Sequence, residues 1–271
     1  ALTMDPDNVD ALDVLASAMR DTWHWAEAEE IFDKALAIDS QSTELLEDVS
    51  EFFCAVGRIT DCLEVGKRGH ELDPNFFPLT RNYIDALIMT GSIEEAAGLM
   101  QQDLRSGYSE SPLETGPISI IGNKTILALL TGDVQTAISE FNKYQPSEAY
   151  KPVKEAALKV LAGTADKNDL DALKAVDYEK YLNIGWYSFS IEGYMLAYAG
   201  ESDHLIDAAI YFAERDQWSH LISAWFPSWN TVRSNPRFQE VLEIYKLPEY
   251  WDETGWPDYC QRVDEERIIC E

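Results

Sequence analysis

The sequence predicts an all-α protein built as a solenoid of helical hairpins. The main evidence is a 34-residue sequence repeat: the pairs Asp5-Pro6, Asp39-Ser40 and Asp73-Pro74 stand 34 residues apart, and so do Gly57 and Gly91. Between these marks, apolar residues recur at the three- and four-residue spacing of a buried helix face. A fixed period of this length is typical of arrays in which each repeat is one supersecondary unit.

The first unit shows the pattern most clearly. Its apolar positions before and after the predicted turn are Leu12, Leu15, Ala16, Met19, Ala28, Ile31, Phe32, Ala35 and Leu36. Small residues follow each turn at matching offsets, at Ala28, Cys62 and Ala96. Each unit is therefore predicted to be two helices joined by a short turn.

These residues resemble the tetratricopeptide repeat, which implies a right-handed superhelical solenoid. The first unit fits that signature through its small residues and Phe32. The second departs from it, since Gly66 and Gly69 replace the aromatic and the small packing residue. We expect its second helix to be weaker, because Gly in a helix interior costs about 1 kcal/mol relative to Ala.

The period divides the chain into four parts. Residues 1–104 hold three regular repeats, 105–117 an interrupting loop rich in Gly and Pro, and 118–218 degenerate repeats, which together make about six hairpins. Residues 219–271 mix tryptophans with prolines that break long helices. We predict that this aromatic, proline-rich segment caps the end of the array, since a terminal repeat must cover an apolar face.

The tail also resembles the repeat regions of bacterial membrane-associated signalling proteins. The residues concerned are 233–240, the run Leu247-Pro-Glu-Tyr-Trp and the run Gly255-Trp-Pro-Asp-Tyr-Cys260. In those proteins such arrays accompany a winged-helix DNA-binding domain or an adenylate cyclase-like domain. The resemblance implies a sensory or assembly role in signal transduction or transcription regulation. Because Asp5-Pro6 matches the end of a repeat, we expect the chain to be part of a longer protein.

The charge balance excludes some partners. With 49 acidic and 21 basic residues the formal net charge is -28, which opposes binding to a phosphate backbone. No apolar run reaches the roughly 20 residues of a membrane-spanning helix, so no direct membrane insertion is predicted. The acidity has two interpretations: it keeps an elongated surface soluble, or it attracts a cationic ligand.

The tetratricopeptide resemblance places the partner-binding positions on the concave face. In this chain they are Asp10, Asp13, Ser17 and Asp21 in the first unit, Glu44, Glu47, Asp48 and Glu51 in the second, and Arg81, Asn82 and Asp85 in the third. Family members that clamp a peptide carboxylate have basic residues there, so this chain favours a basic or extended peptide. The other interpretation is a solvated acidic face. Tyr187, Tyr194 and Tyr198 form an aromatic stripe that is either core or a second contact surface.

No motif for catalysis, metal or cofactor binding is recognisable, so we expect neither an enzyme nor a cofactor. The four histidines His24, His70, His204 and His220 lack a second ligand at helical spacing. The acidic run Asp166–Asp171 lacks the glycine and final glutamate of a calcium loop and is interpreted as a solvated turn.

The four cysteines form two groups. Cys54 and Cys62 are predicted to be unbridged core residues, since free cysteine is often buried. Cys260 and Cys270 flank a polar stretch and are either a disulfide or two free thiols. A disulfide would require an oxidising compartment, which slightly favours the extracytoplasmic side of a membrane-anchored protein over the cytoplasm.

Together these features favour a protein-binding or sensory domain of a larger bacterial regulatory protein. The alternative is a scaffold that self-associates into a homo-oligomer without a peptide ligand. A third hypothesis, an enzyme, lacks any activated nucleophile or metal cluster.

Overall fold

The prediction of an all-α solenoid of helical hairpins is confirmed. The computed structural model describes residues 2–106, 118–175, 177–179, 190–215, 217, 220–257, 259–264 and 267–270. The helices are α1 (Val9–Asp21), α2 (Trp25–Ile38), α3 (Thr43–Ala55), α4 (Ile59–Leu72), α5 (Phe77–Met89), α6 (Ile93–Ser106), α7 (Ile118–Leu130), α8 (Val134–Asn142), α9 (Lys151–Leu161), α10 (Lys167–Lys174), α11 (Ile191–Ala199), α12 (Ser202–Ala213), α13 (His220–Ser223), α14 (Asn230–Arg233), α15 (Phe238–Ile244) and α16 (Leu247–Thr254). None of the described helices is both long and apolar enough to cross a membrane.

Successive helices pack as pairs: α1 with α2, α3 with α4, α5 with α6, α7 with α8, α9 with α10, and α11 with α12. The first helices of neighbouring pairs also contact each other, α1 with α3 and α3 with α5. Of the loop predicted at 105–117, Arg105 and Ser106 instead extend α6, because both residue types are compatible with a helix. The remainder of that loop lies outside the described residues.

The turn inside each hairpin has one residue in the left-handed region. Five turns place a glycine there, at Gly57, Gly91, Gly132, Gly163 and Gly200, with φ between 66° and 80°. Glycine adopts this conformation without the clash that a Cβ introduces. The first turn places Trp23 at the same point, with φ 62°.

The second hairpin forms a complete pair of helices. The prediction that α4 would be weaker is not reflected in its length, since it runs without a break from Ile59 to Leu72. Its glycines allow α5 to approach closely: a Cβ on Gly66 would lie 3.1 Å from the Cα of Tyr83, and one on Gly69 would lie 2.1 Å from Leu79. The glycines therefore favour packing between repeats at the expense of helix propensity.

The prediction that Cys54 and Cys62 are unbridged is wrong. They form a disulfide with their Cα atoms 5.2 Å apart, and both side chains are buried. Cys54 lies three residues before Gly57 and Cys62 lies five residues after it, and the antiparallel helices α3 and α4 bring them face to face. The described residues include no free cysteine.

The acidic run that was interpreted as a solvated turn has a local structural role. Asp166 begins α10 with a reciprocal capping box: its side chain accepts the backbone N–H of Asp169, whose carboxylate accepts the N–H of Asp166. This arrangement satisfies two backbone donors that the start of a helix leaves unpaired.

The C-terminal segment packs on the last hairpin, where α15 and α14 contact α12. It then continues along the first three hairpins, on the edge formed by their internal turns. Trp225 Nε1 donates to Ala55 O at 3.2 Å, and Trp251 Nε1 donates to Val56 O at 2.8 Å. Both tryptophans are almost fully buried. The chain therefore closes on itself, with its end packed against its beginning.

Further contacts of the C-terminal segment reach the turns of the first and third hairpins. At the first turn, Trp25 Nε1 donates to Tyr245 O at 2.6 Å. At the third turn, the Tyr259 hydroxyl donates to Met89 O at 2.6 Å. The chain ends in an antiparallel pair of strands, β1 (Cys260–Arg262) and β2 (Ile268–Cys270), in which Cys260 and Cys270 are opposite each other and form a disulfide.

Candidate partner-binding face

Helices α1 and α3 lie side by side, and each carries acidic residues at three- and four-residue spacing. This spacing places them on one face of each helix. We call this surface the acidic face; its residues are Asp10, Asp13, Ser17, Arg20 and Asp21 on α1 and Glu44, Glu47, Asp48 and Glu51 on α3. Asp10, Asp21 and Glu44 are exposed, while Glu47, Asp48 and Glu51 are half-buried. Exposed carboxylates therefore border a more enclosed acidic centre.

Arg20 joins the two helices across the acidic face. Its Nη1 donates to Asp48 Oδ1 at 3.1 Å and to Glu51 Oε2 at 3.2 Å, and its Nε donates to Asp21 Oδ1 at 3.2 Å. Ser17 Oγ donates to Asp48 Oδ1 at 3.3 Å. Arg20 is the only basic residue in α1 and α3, both of which the structure describes from end to end. One cation therefore neutralises only part of the charge.

Burial, together with the remaining repulsion between carboxylates, raises the pKa values of three carboxyl groups. Burial and the neighbouring carboxylates Glu51 and Asp48 raise the pKa of Glu47 from 4.5 to about 8. Burial raises the pKa of Glu51 to about 7, and Arg20 opposes that increase. Burial and Asp48 raise the pKa of Asp13 to about 6, and its Oδ1 is buried without a hydrogen-bond partner. Each of these groups favours a nearby cation in its ionised form.

The predicted residues of the third hairpin have a different environment. Asn82 Nδ2 donates to Glu47 O at 3.2 Å, which links α5 to α3 at the border of the acidic face. Arg81 Nε pairs with Asp85 Oδ1 at 2.9 Å. Asp85 is only 8% exposed, and burial raises its pKa despite the pairing with Arg81. Asp85 is thus enclosed and offers little surface to a partner, while the Arg81 side chain remains 32% exposed.

Apolar groups cover this third-hairpin position. Arg81 and Asp85 line a small cavity together with Tyr194 of α11 and Phe226 of the C-terminal segment. Tyr194 is buried, and Tyr198, one turn later on α11, is 44% exposed. Tyr187 lies outside the described residues. The aromatic stripe therefore does not present Tyr194 and Tyr198 together to solvent.

The described residues form no group of three His, Cys, Asp or Glu side chains able to hold a metal ion. His70 Nδ1 lies 2.9 Å from Thr80 Oγ1, and His204 Nε2 lies 3.0 Å from the Tyr178 hydroxyl. Both histidines thus have local polar neighbours. The arrangement of the acidic face can bind cations by charge.

Sequence reasoning missed Arg20 as part of this face. The signal was present: Arg20 follows Ser17 by three residues and therefore shares its helix face. It also missed a pocket beside Trp23. The signal was this tryptophan itself, which stands 34 residues before Gly57, at the turn position where later hairpins have glycine.

Comparisons with known proteins give a limited result. No protein-family model matches the chain, and no curated protein matches its sequence. Among solved structures, the chain is similar to one described as "Structure of Naa15/Naa10 bound to HypK-THB", with a TM-score of 0.39 and 14% sequence identity. The match covers 95% of this chain and 39% of that chain, so this chain spans well under half of its length.

Proposed function

We propose that this chain works by binding a partner protein, without catalysis of its own, and that a basic segment of the partner lies on the acidic face. The observation that carries the proposal is the arrangement of carboxylates along α1 and α3, where Arg20 is the only basic residue of the two helices. Asp13, Glu47 and Glu51 all have raised pKa values, because they are partly out of water and because other carboxylates lie close by.

A bound cation would relieve this repulsion. Arg20 already does so for Asp48 and Glu51 within the chain, which gives a local example of the interaction expected with a partner. A lysine or arginine from a partner would supply further positive charge beside Asp13 and Glu47. Because the outer carboxylates Asp10, Asp21 and Glu44 are exposed, they are available to guide an approaching basic segment.

The elongated shape of the acidic face favours an extended peptide segment as the ligand. The acidic residues extend along α1 and α3, helices of 13 residues each, instead of converging on one point. A helix of that length spans about 20 Å, which matches an extended peptide of about six residues. The tail's resemblance to repeat regions of signalling proteins supports a sensory or assembly setting for this interaction.

Binding of a fluorescent lysine- and arginine-rich decapeptide, measured by anisotropy, tests the proposal. The test variant is Asp10→Lys/Glu44→Lys, which reverses two exposed charges on the acidic face. The matched control is Asp33→Lys/Glu64→Lys, which makes the same change in net charge at exposed positions on α2 and α4. The acidic-face variant should weaken binding at least about tenfold, or 1.4 kcal/mol, relative to the control.

The salt dependence of peptide affinity provides a second test. Affinity should fall as salt rises, since contacts between exposed charges are screened. If both variants weaken binding equally, the attraction comes from net charge alone and the proposed face is wrong. If the wild-type chain instead self-associates and does not bind the peptide, the proposal of a peptide-binding face is overturned.

A further inference from the structure

A second pocket lies away from the acidic face, where the N-terminal end of α2 meets the N-terminal end of α16. It has a volume of about 340 Å³. Its lining residues are Trp23, His24, Trp25, Ala26, Glu27, Glu30, Lys246, Glu249, Tyr250 and Glu253. A cavity of this size is within the range of small-ligand sites.

The rim of this pocket is acidic. Four of its lining residues are exposed glutamates and one is a lysine. Glu27 and Glu249 lie in the first turns of their helices, where a negative charge stabilises the helix end. That role does not explain Glu30, further along α2, or Glu253, which lies near the C-terminal end of α16. Those two carboxylates therefore add negative charge that neither helix end requires.

Trp23 forms part of the aromatic wall of the pocket and also packs against the hydrophobic core. Trp23 holds the left-handed turn position that is glycine in the five other hairpins, and a non-glycine residue there costs about 1–2 kcal/mol. One side of its ring packs edge-on against Tyr245, with ring centroids 5.3 Å apart. Its Nε1 is buried and has no hydrogen-bond partner. The turn would form at lower cost with glycine, so the indole has a role beyond the turn.

From this combination we propose that the pocket binds a primary alkylammonium group, with its aliphatic chain against Trp23 and its charged end among Glu30, Glu253 and the other rim carboxylates. The indole offers an apolar surface to the aliphatic chain, and the carboxylates accept hydrogen bonds from the ammonium. The chemistry fits either a free diamine or a lysine side chain of a peptide. The site uses none of the residues of the acidic face and stands independently of the proposed function.

The test follows the Trp23 indole N–H by NMR, with its resonance assigned from a Trp23→Phe variant. The probes are 1,4-diaminobutane, Nα-acetyl-lysinamide, and the same lysinamide acetylated on its side chain. The first represents a free amine, the second a peptide lysine, and the third is a matched neutral control. We expect a saturable shift of the Trp23 resonance with at least one of the two cations, and none with the neutral analogue.

A second pair of variants keeps the test independent of Trp23. Glu30→Gln/Glu253→Gln should weaken amine binding about fivefold, as expected for two partly exposed charge pairs. Asp33→Asn/Glu64→Gln, with Glu64 exposed at the position of the second hairpin equivalent to Glu30, should leave amine binding unchanged. Binding of the diamine alone would identify free amines as the ligand class, and binding of the lysinamide alone would identify peptide lysines. No saturable shift, equal binding of the neutral analogue, or equal loss in both variants would overturn the proposal.

Discussion

Replacing Gly57 with alanine tests whether the C-terminal segment closes on the first hairpins. Gly57 has φ +80°, and an added Cβ would lie 2.7 Å from the Trp225 ring. That ring is 1% exposed and fixed by its hydrogen bond to Ala55 O, so it has little freedom to move aside. Gly91→Ala provides the matched control, because Gly91 has φ +78° and no atom within 4 Å of an added Cβ.

The two variants separate backbone strain from packing. Each incurs the left-handed cost of about 1–2 kcal/mol that a Cβ introduces. Only Gly57→Ala adds overpacking, which is worth about 1–3 kcal/mol in a well-packed core. Gly57→Ala should therefore lower the free energy of unfolding by about 3 kcal/mol, against about 1 kcal/mol for Gly91→Ala.

Urea unfolding monitored by tryptophan fluorescence and by circular dichroism measures this difference. Both probes should report the same midpoint if the closed chain unfolds as one cooperative unit. If the two variants differ by less than about 0.5 kcal/mol, the typical effect of a neutral surface change, Trp225 does not pack on the second turn and the closure is wrong.

Three further predictions follow from the acidic face and the disulfide. The free energy of unfolding should fall as pH rises from about 4.5 to about 8, because over that range folded Glu47 holds a proton that the unfolded chain has lost, and Glu47→Gln should flatten that slope in urea titrations. Arg20→Gln should lower the free energy of unfolding by about 3 kcal/mol at pH 8. The loss should be smaller at pH 5, because protonation of the neighbouring carboxylates then replaces the missing cation. An equal loss of unfolding free energy at both pH values would contradict this. Cys54→Ala/Cys62→Ala should cost about 2.5 kcal/mol for the loss of a short closed loop, measured by urea unfolding, and an unchanged midpoint would show that the bridge contributes nothing.

The repeat period predicted the hairpins well because it reflects local geometry. The spacing of Gly57 and Gly91 marked two turns, and the small residues Ala28 and Ala96 are fully buried where paired helices cross. The acidic positions of α1 and α3 could also be read from helical spacing. The Cys54–Cys62 bridge was predictable in principle, since the two residues lie on paired helices close to the turn that joins them, but burial alone suggested unbridged core residues.

The closure of the chain could not be predicted in this way. The hydrogen bonds from Trp225 and Trp251 reach backbone carbonyls some 170 to 195 residues away, and a carbonyl leaves no trace in the side-chain pattern. The burial of Asp85 had the same cause: Tyr194 and Phe226, which line its cavity, come from parts of the chain that periodicity does not relate to α5. The Trp23 pocket needs α16 beside α2, so it too depends on the closure.

Photocrosslinking tests the central claim, that a basic partner segment lies on the acidic face, most directly. A lysine- and arginine-rich peptide with a photoreactive residue at its centre would be bound to the wild-type chain, irradiated, and the linked residues mapped by mass spectrometry. The account predicts crosslinks within Val9–Asp21 and Thr43–Ala55, lost when Asp10→Lys/Glu44→Lys is used. Crosslinks that fall mainly on the outer helices α2 and α4, or that spread evenly over the chain, would contradict it.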